Sequence, residues 1–407
     1  IALSRSSGCF VALKIIADVA DGLWTIDSST SDVEITVPDV EWDDKPWTYS
    51  QRFFKAPPDS VLAEADLLGP RWAMVEAYAA ANALDAVEVA PANARIGIIA
   101  AGGAYDSMRQ ALVDLGLSDE DLRENGIRIM RIGMIYPLSA SRVHEFADGL
   151  SDILVVEDKV PFLESQLREI LYGATDSPRI QGKRASDGSR LVPIDGELTA
   201  ARLAEPIRRA LSPFVDLRRP LPPPLTLTPL EAKRTAYFCS GCPHNRSTAV
   251  PEGSIAGGGI GCHTLVTMSG RTDSAVNALT QMGGEGAQWI GQAEFADVPH
   301  TFQNVGDGTF FHSGQLAVQA CIAAGVNITY KILYNSAVAM TGAQDAEGGL
   351  EVPALTHKLA SEGVARIIIC ADEPERHSKS ALAPGTKLLH RDRLDEAQKE
   401  LRDIAGV

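Results

Sequence analysis

The tripeptide Gly306-Asp307-Gly308 and the downstream Asn335, with 26 residues between Gly308 and Asn335, are the residues whose types and spacing most directly suggest chemistry. A carboxylate and an amide oxygen can ligate a hard divalent ion, and Mg²⁺ is commonly held by one or two carboxylates together with phosphate oxygens. The flanking glycines let a backbone approach a phosphate closely. Taken alone, Gly-Asp-Gly is usually an ordinary turn. A second constellation is Cys239-Ser-Gly-Cys242, followed by Cys262 in the glycine-rich stretch Gly257-Gly-Gly-Ile-Gly-Cys262. Cys-x-x-Cys brings two thiolates within reach of one metal, and the glycines let the third fold back. Such a trio suits an iron–sulfur cluster whose last ligand is distant in sequence. It equally suits a zinc site completed by His244 or His263. A redox disulfide between Cys239 and Cys242, or simple burial, completes the alternatives that spacing leaves open.

These residues need elements to position them. His300–Val305 reads as a strand running into Gly-Asp-Gly, Ser313–Ala324 as a helix with Leu316, Ala320, Ile322 and Ala323 apolar, and Ile328–Tyr334 as the next strand. In a strand–helix–strand unit Asp307 and Asn335 stand at the carboxyl ends of parallel strands, where open α/β sheets place ligands, and the helix start favours negative charge. Upstream, apolar strands (Arg95–Ala100, Ile127–Ile132, Ile153–Glu157) alternate with helices (Tyr105–Leu115, and near Ser139–Asp148 and Phe162–Leu171). The expected fold class is α/β, with parallel sheets carrying helices on both faces. Residues 33–91 read as a connector, including two helical stretches over Ser60–Leu84 broken at Gly69-Pro70. Residues 92–215 read as one α/β domain, 216–234 as a proline-rich linker and 235–407 as a second domain holding the chemistry. Residues 1–18 carry a helix-like stripe of Val11, Ala12, Ile15 and Ile16.

Composition narrows the classes. The chain has 407 residues, 37 Lys and Arg against 53 Asp and Glu, and a net charge of −16, which argues against a general nucleic-acid binder. Six cysteines are not a secreted disulfide framework. No apolar run reaches the length of a membrane span, so a soluble, cytoplasmic protein is expected. Position 1 is Ile, and a fragment or one piece of a longer polypeptide is expected. Other residues take structural readings: Cys370 in a buried strand, Cys321 and Cys9 on helices, His312 at a helix start, and Glu157-Asp158 as an interface pair or solvated charge. Gly102-Gly103 is a turn lacking the dinucleotide pattern.

Several longer stretches surround these motifs: Phe238-Cys-Ser-Gly-Cys-Pro-His-Asn245, Gln281-Met-Gly-Gly-Glu-Gly286, Gly306-Asp-Gly-Thr-Phe-Phe-His-Ser-Gly314, and Asn327-Ile-Thr-Tyr-Lys-Ile-Leu-Tyr-Asn335 with Ala339-Met-Thr-Gly342. Together they resemble the indolepyruvate ferredoxin oxidoreductase family, in particular its long single-chain bacterial form. The resemblance is strongest from Tyr237 to Thr341. It implies a thiamine-diphosphate-binding fold over 235–407, a transketolase C-terminal-like domain over 92–215, and the tail of a pyrimidine-binding domain over 1–32. Asp307 and Asn335 then match Mg²⁺ ligands, with the Ala337 carbonyl a third. Gly306, Gly308 and Thr309 match the diphosphate cradle, and Met282, Gly283, Gly284 and Glu285 part of the cofactor wall. Ser336 departs from the motif, which often has Asn or Asp there.

By the same resemblance Cys239, Cys242 and Cys262 bind a [4Fe–4S] cluster whose fourth ligand lies elsewhere, and the glutamate that activates thiamine is expected outside this chain. The implied activity is oxidative decarboxylation of 2-oxo acids, arylpyruvates such as indolepyruvate, to acyl-CoA. Coenzyme A takes the acyl group, electrons pass to ferredoxin, and a homodimer is expected. The alternatives are a non-oxidative thiamine-dependent decarboxylase with a zinc site, or a non-catalytic electron-transfer or scaffold subunit.

Overall fold

A computed structural model of the chain describes residues 1–16, 22, 23, 25, 34–51, 56–217 and 235–407. The chain divides into two units, Ile1–Leu227 and Thr228–Val407. Most of the linker expected over 216–234 lies outside the described residues.

The first unit opens with a helix, Ala2–Ser7, that stops at Gly8, whose φ of 69° is the left-handed conformation of a helix C-cap. The helical stripe expected further on does not form. Residues 8–16 are irregular, and Val11, Ala12, Ile15 and Ile16 are exposed. Gly8 ends the hydrogen-bond ladder, and Val11, Ile15 and Ile16 are β-branched and poor at restarting one. Cys9 therefore lies past the helix rather than on it. Strands β1 (Val40–Trp42) and β2 (Lys45–Trp47) form an antiparallel hairpin. Helices Asp59–Asp66 and Trp72–Ala81 follow, separated by a wider turn over Leu67–Arg71 in which Gly69 leaves helical geometry at φ −108°. The break falls where Gly69-Pro70 predicts it.

A five-stranded sheet follows: β3 (Ala86–Val89), β4 (Ile96–Ala101), β5 (Ile127–Ile132), β6 (Asp152–Val156) and β7 (Arg179–Gln181), in the order β3-β5-β4-β6-β7. All neighbours are parallel except β3, which runs antiparallel on β5. The edge strand β3 belongs to the sheet and not to the connector. Its four residues, one of them Glu88, are too few to show a period. Side chains alternate between faces. Ile96, Ile98, Ala100, Leu154 and Val156 pack with Met108, Leu112, Leu203 and Ile207. Ile99, Ile153 and Val155 pack on the other side with Val143, Phe146, Leu163 and Leu167. Helices therefore cover both faces, as near-continuous apolar strands require. Gly102 and Gly103 are the first residues of helix Gly102–Asp114 rather than a separate turn. Glu157, past the end of β6, is not a solvated charge: its carboxylate accepts the N–H groups of Phe162, Leu163 and Glu164 at 2.7–3.0 Å, at the start of helix Leu163–Ile170.

The second unit is built on four parallel strands, β8 (Ile255–Gly258), β9 (Val276–Leu279), β10 (Thr301–Gly306) and β11 (Ile328–Leu333), ordered β11-β10-β8-β9. β10 is central and buried along its length, which obliges Thr301, Gln303 and Asn304 to find partners inside; Asn304, for example, donates to the Gly257 carbonyl at 3.1 Å. From Asp307 the chain turns into a helical run that passes through a wider segment, Phe310–Gly314, into Gln315–Ala324. A short antiparallel pair, β12 (Ala337–Val338) and β13 (Gln344–Asp345), and a parallel pair, β14 (Ile368–Ala371) and β15 (Lys387–His390), complete the strands. Cys370 lies within β14, half-buried, and Cys321 is fully buried on its helix.

Candidate functional site

The parallel register of β10 and β11 pairs Gly306 with Leu333, so both strands release the chain at the same level. Asp307 leaves β10 there and is 2% exposed. Its carboxylate oxygen Oδ2 accepts the N–H of Asn335 at 2.9 Å and of Ser336 at 2.5 Å, and Oδ1 accepts the N–H of Gly308 at 2.9 Å. A buried carboxylate tolerates its burial when several N–H groups face it. The side-chain oxygen of Asn335 accepts the Ala337 N–H at 3.0 Å, an Asx turn that shapes the next three residues. Ser336 has φ 58°, a left-handed conformation uncommon for a residue with a Cβ.

Asp307, Asn335 and Ala337 thus occupy one loop cluster. Each carboxylate or amide oxygen keeps lone pairs beyond those its N–H partners use. One carboxylate beside neutral oxygens is a donor set suited to a hard cation shared with phosphate oxygens. A Cβ built on Gly306 meets nothing within 4 Å, whereas one on Gly308 comes to 3.1 Å of Val338 Cγ2. Open space thus lies over the first glycine and the second is pressed against the loop. Thr309 is buried beside them, and the Gly308 N–H at the start of the helical run is taken by the Asp307 carboxylate. The other leading N–H groups of a helical run have no partner within the helix and are where a ligand at this edge would bond.

Buried polar atoms without partners gather around the same end of the sheet. Glu285 is 0% exposed; its Oε2 accepts the Gly283 N–H at 2.7 Å while Oε1 has no partner. Burial raises its pKa and favours the protonated acid. Gly259 makes room for it, since a Cβ there would lie 2.5 Å from Oε1. Asn304 Oδ1, His244 Nε2 and His263 Nε2 are likewise buried and unpartnered. Burial lowers the His244 pKa, against the pull of the Asp307 charge. Burial, and then the neighbouring His244, bring His263 down to about 4. Sequence reasoning weighed these histidines only as zinc ligands. The signal that they face the Asp307 end of the sheet is tertiary. Orphaned polar atoms and a glycine-lined opening are what a polar cofactor would satisfy, so the residues present fit a diphosphate-bearing group. Of the other residues expected near a cofactor, Gly283 has φ 93°, Met282 is exposed, and His312 is exposed with Nδ1 2.7 Å from Ser313 Oγ.

The three cysteines lie in the same unit. Cys239 is exposed, Cys242 and Cys262 are half-buried, and all six cysteines of the chain are free. The Cys262 thiol is pushed up by burial and then by the charges of Cys242 and Cys239, which places the three within electrostatic reach. They do not close into a ligand set: among the described residues no three Cys, His, Asp or Glu side chains stand close enough to hold a metal ion.

Comparison with known proteins bears on both units. The family model for the indolepyruvate oxidoreductase domain matches residues 86–215, and that for the C-terminal TPP-binding domain of thiamine pyrophosphate enzymes matches residues 259–404. The first match begins at β3, in agreement with the sheet. The indolepyruvate oxidoreductase subunit IorA of Thermococcus kodakarensis is 28% identical over 288 residues, 64% of this chain and 41% of that protein. Its namesake from Methanothermobacter marburgensis is 29% identical over 280 residues, 64% of this chain and 42% of that one. The chain thus spans about two-fifths of the length of these relatives. Among solved structures, a 2-oxoglutarate:ferredoxin oxidoreductase from Magnetococcus marinus aligns with 45% of this chain and 27% of its own, at 15% identity and a TM-score of 0.25. The fold assignment rests instead on the strand order described above.

Proposed function

We propose, from the matches to the indolepyruvate oxidoreductase domain and the C-terminal TPP-binding domain, that the second unit is the diphosphate-binding half of a thiamine diphosphate site for 2-oxo acid oxidoreduction. The observation that carries this reading is the buried Asp307 carboxylate binding the N–H groups of Asn335 and Ser336 across the ends of β10 and β11. Asp307, Asn335 and the Ala337 carbonyl would hold Mg²⁺, and Gly306, Gly308 and Thr309 the diphosphate. Thiamine diphosphate, when bound, supplies the carbanion chemistry that cleaves the bond between a 2-oxo acid's carbonyl and carboxyl carbons.

The chain's own residues bind, orient and exclude water. The glycines at 306 and 308 admit the diphosphate to the backbone. Glu285, whose pKa burial raises, adds a buried carboxyl group to the wall beside Met282, Gly283 and Gly284. Cys239, Cys242 and Cys262, which do not close into a ligand set among the described residues, are proposed as [4Fe–4S] ligands from their spacing and the family resemblance, with a further ligand from elsewhere. Ferredoxin as electron acceptor, coenzyme A as acyl acceptor, arylpyruvates as substrates and a homodimeric assembly complete the proposal. Asp307→Asn tests it: the affinity for thiamine diphosphate with Mg²⁺, measured by calorimetry on the full-length protein, is expected to fall at least about tenfold with the circular dichroism spectrum retained. Unchanged affinity would remove the reading.

A further inference from the structure

The cysteine segment is tied to the sheet by a buried lysine amine as well as by the burial of Phe238. The one-turn helix His244–Ser247 has no fully buried residue of its own. Its far end presents carbonyls to solvent or to a donor. Lys331, in the middle of β11, supplies the donor: its Nζ donates to the carbonyls of Ser247 at 2.8 Å and Ala249 at 3.2 Å, and to Gln398 Oε1 at 3.1 Å. Three acceptors match the three protons of the amine's protonated form, which they favour against the burial and the neighbouring Arg271 that bring its pKa down to about 7. The charge also lies 5.4 Å from the centre of the Phe302 ring on β10. Two further contacts secure the segment's flanks. Arg271 donates to Asn245 and is fixed by both oxygens of Asp273. Arg246 bonds the Asp392 carboxylate at 2.8 Å. Lys331 ties the segment by hydrogen bonds to β11, the strand that runs on to Asn335.

We infer that Lys331 is a positioning residue: it fixes the segment bearing Cys239 and Cys242 in register with the strand that ends at Asn335. The inference rests on the proposed function only for its purpose, because the clamp is a property of the chain itself. A cation seated on the last carbonyls of a one-turn helix also complements that helix end electrostatically. The lysine stem crosses the sheet edge while the charged head is bonded, so neither Met nor Gln can reproduce both parts.

The test needs no cofactor. In full-length Lys331→Met, amide hydrogen exchange over residues 242–249 and alkylation of Cys242 by iodoacetamide are expected to run on the order of tenfold faster than in the wild type. Exchange over Thr301–Gly306 and Gln315–Ala324 is expected to stay as it was. Lys331→Arg, which keeps a donating cation, is expected to restore much of the protection. Exchange over 242–249 equal to that of the wild type would overturn the inference. So would loosening that spreads equally to Thr301–Gly306, since Lys331 would then be a general stability residue. Failure of the wild type to bind thiamine diphosphate would count against the proposed function and leave this inference standing.

Discussion

The hydroxyl of Tyr330 donates to the main-chain carbonyl of Glu285 at 2.8 Å and thereby pins the Met282–Gly286 turn to the strand beside Asp307. The same hydroxyl lies 3.4 Å from Cys321 Sγ. Gly286, at φ 89°, is what lets the ring come this close, since a Cβ there would lie 2.1 Å from the hydroxyl oxygen. Tyr330→Phe is expected to lose about 1 kcal/mol of stability. Gly286→Ala is expected to lose at least about 2 kcal/mol, through both the contact and the backbone conformation. Differential scanning calorimetry reads both, and a Gly286→Ala midpoint equal to that of the wild type would show that the turn is free to move.

Acid should weaken the second unit through His300. This ring is 4% exposed, bonded to Thr329 Oγ1 at 2.8 Å, and its pKa is lowered to about 4, first by burial and then by Arg402. The folded value lies below that of the unfolded chain, so between about pH 6.5 and 4 the unfolded state holds the extra proton. Stability from this group is present above that window and lost as the pH falls through it, by up to about 1.4 kcal/mol per pH unit. Urea unfolding at pH 7, 5.5 and 4.5 should show a shallower acid loss in His300→Gln. Parallel losses in the two proteins would remove His300 as the cause.

Metal analysis separates the readings of the cysteine trio. Anaerobically purified full-length protein is expected to contain iron and acid-labile sulfide in equal amounts, and Cys242→Ala is expected to lose both. Stoichiometric zinc without sulfide would instead favour a non-oxidative decarboxylase.

In the first unit, Glu157→Ala removes the acceptor of three N–H groups at the start of helix Leu163–Ile170. A loss of about 2 kcal/mol is expected, larger than for an ordinary exposed cap because the carboxylate is buried. Thermal unfolding followed by circular dichroism checks this, and a shift below a degree would mean that water replaces the carboxylate without loss.

Much of this arrangement was legible beforehand, for identifiable reasons. Strand–helix alternation over Ile96–Ile170 is visible because each strand is buried on two faces and therefore continuously apolar. The interval from Gly308 to Asn335 is visible because one helix and one strand fill it. The rest depended on tertiary contact. Ala86–Val89 is too short to show a period, and Gly8 outweighed the stripe that follows it. Nothing in the order of residues announces that Lys331 reaches Ser247 across 84 positions, or that His244 stands near Asp307. Glu285 was visible as part of a glycine-rich motif, but its burial with one oxygen unpartnered was not, because burial follows from how Gly259 and Gly283 fold around it.

The left-handed Ser336, tied down by the Asp307 carboxylate, has an implication for kinetics. Three main-chain donors already converge on that anion, so the loop holds its shape as an intrinsic property of the polypeptide. A ligand arriving there has little backbone left to immobilise, and more of its contact enthalpy survives as affinity. Association at this edge should accordingly be governed by diffusion and the shedding of hydration water rather than by slow rearrangement of the chain.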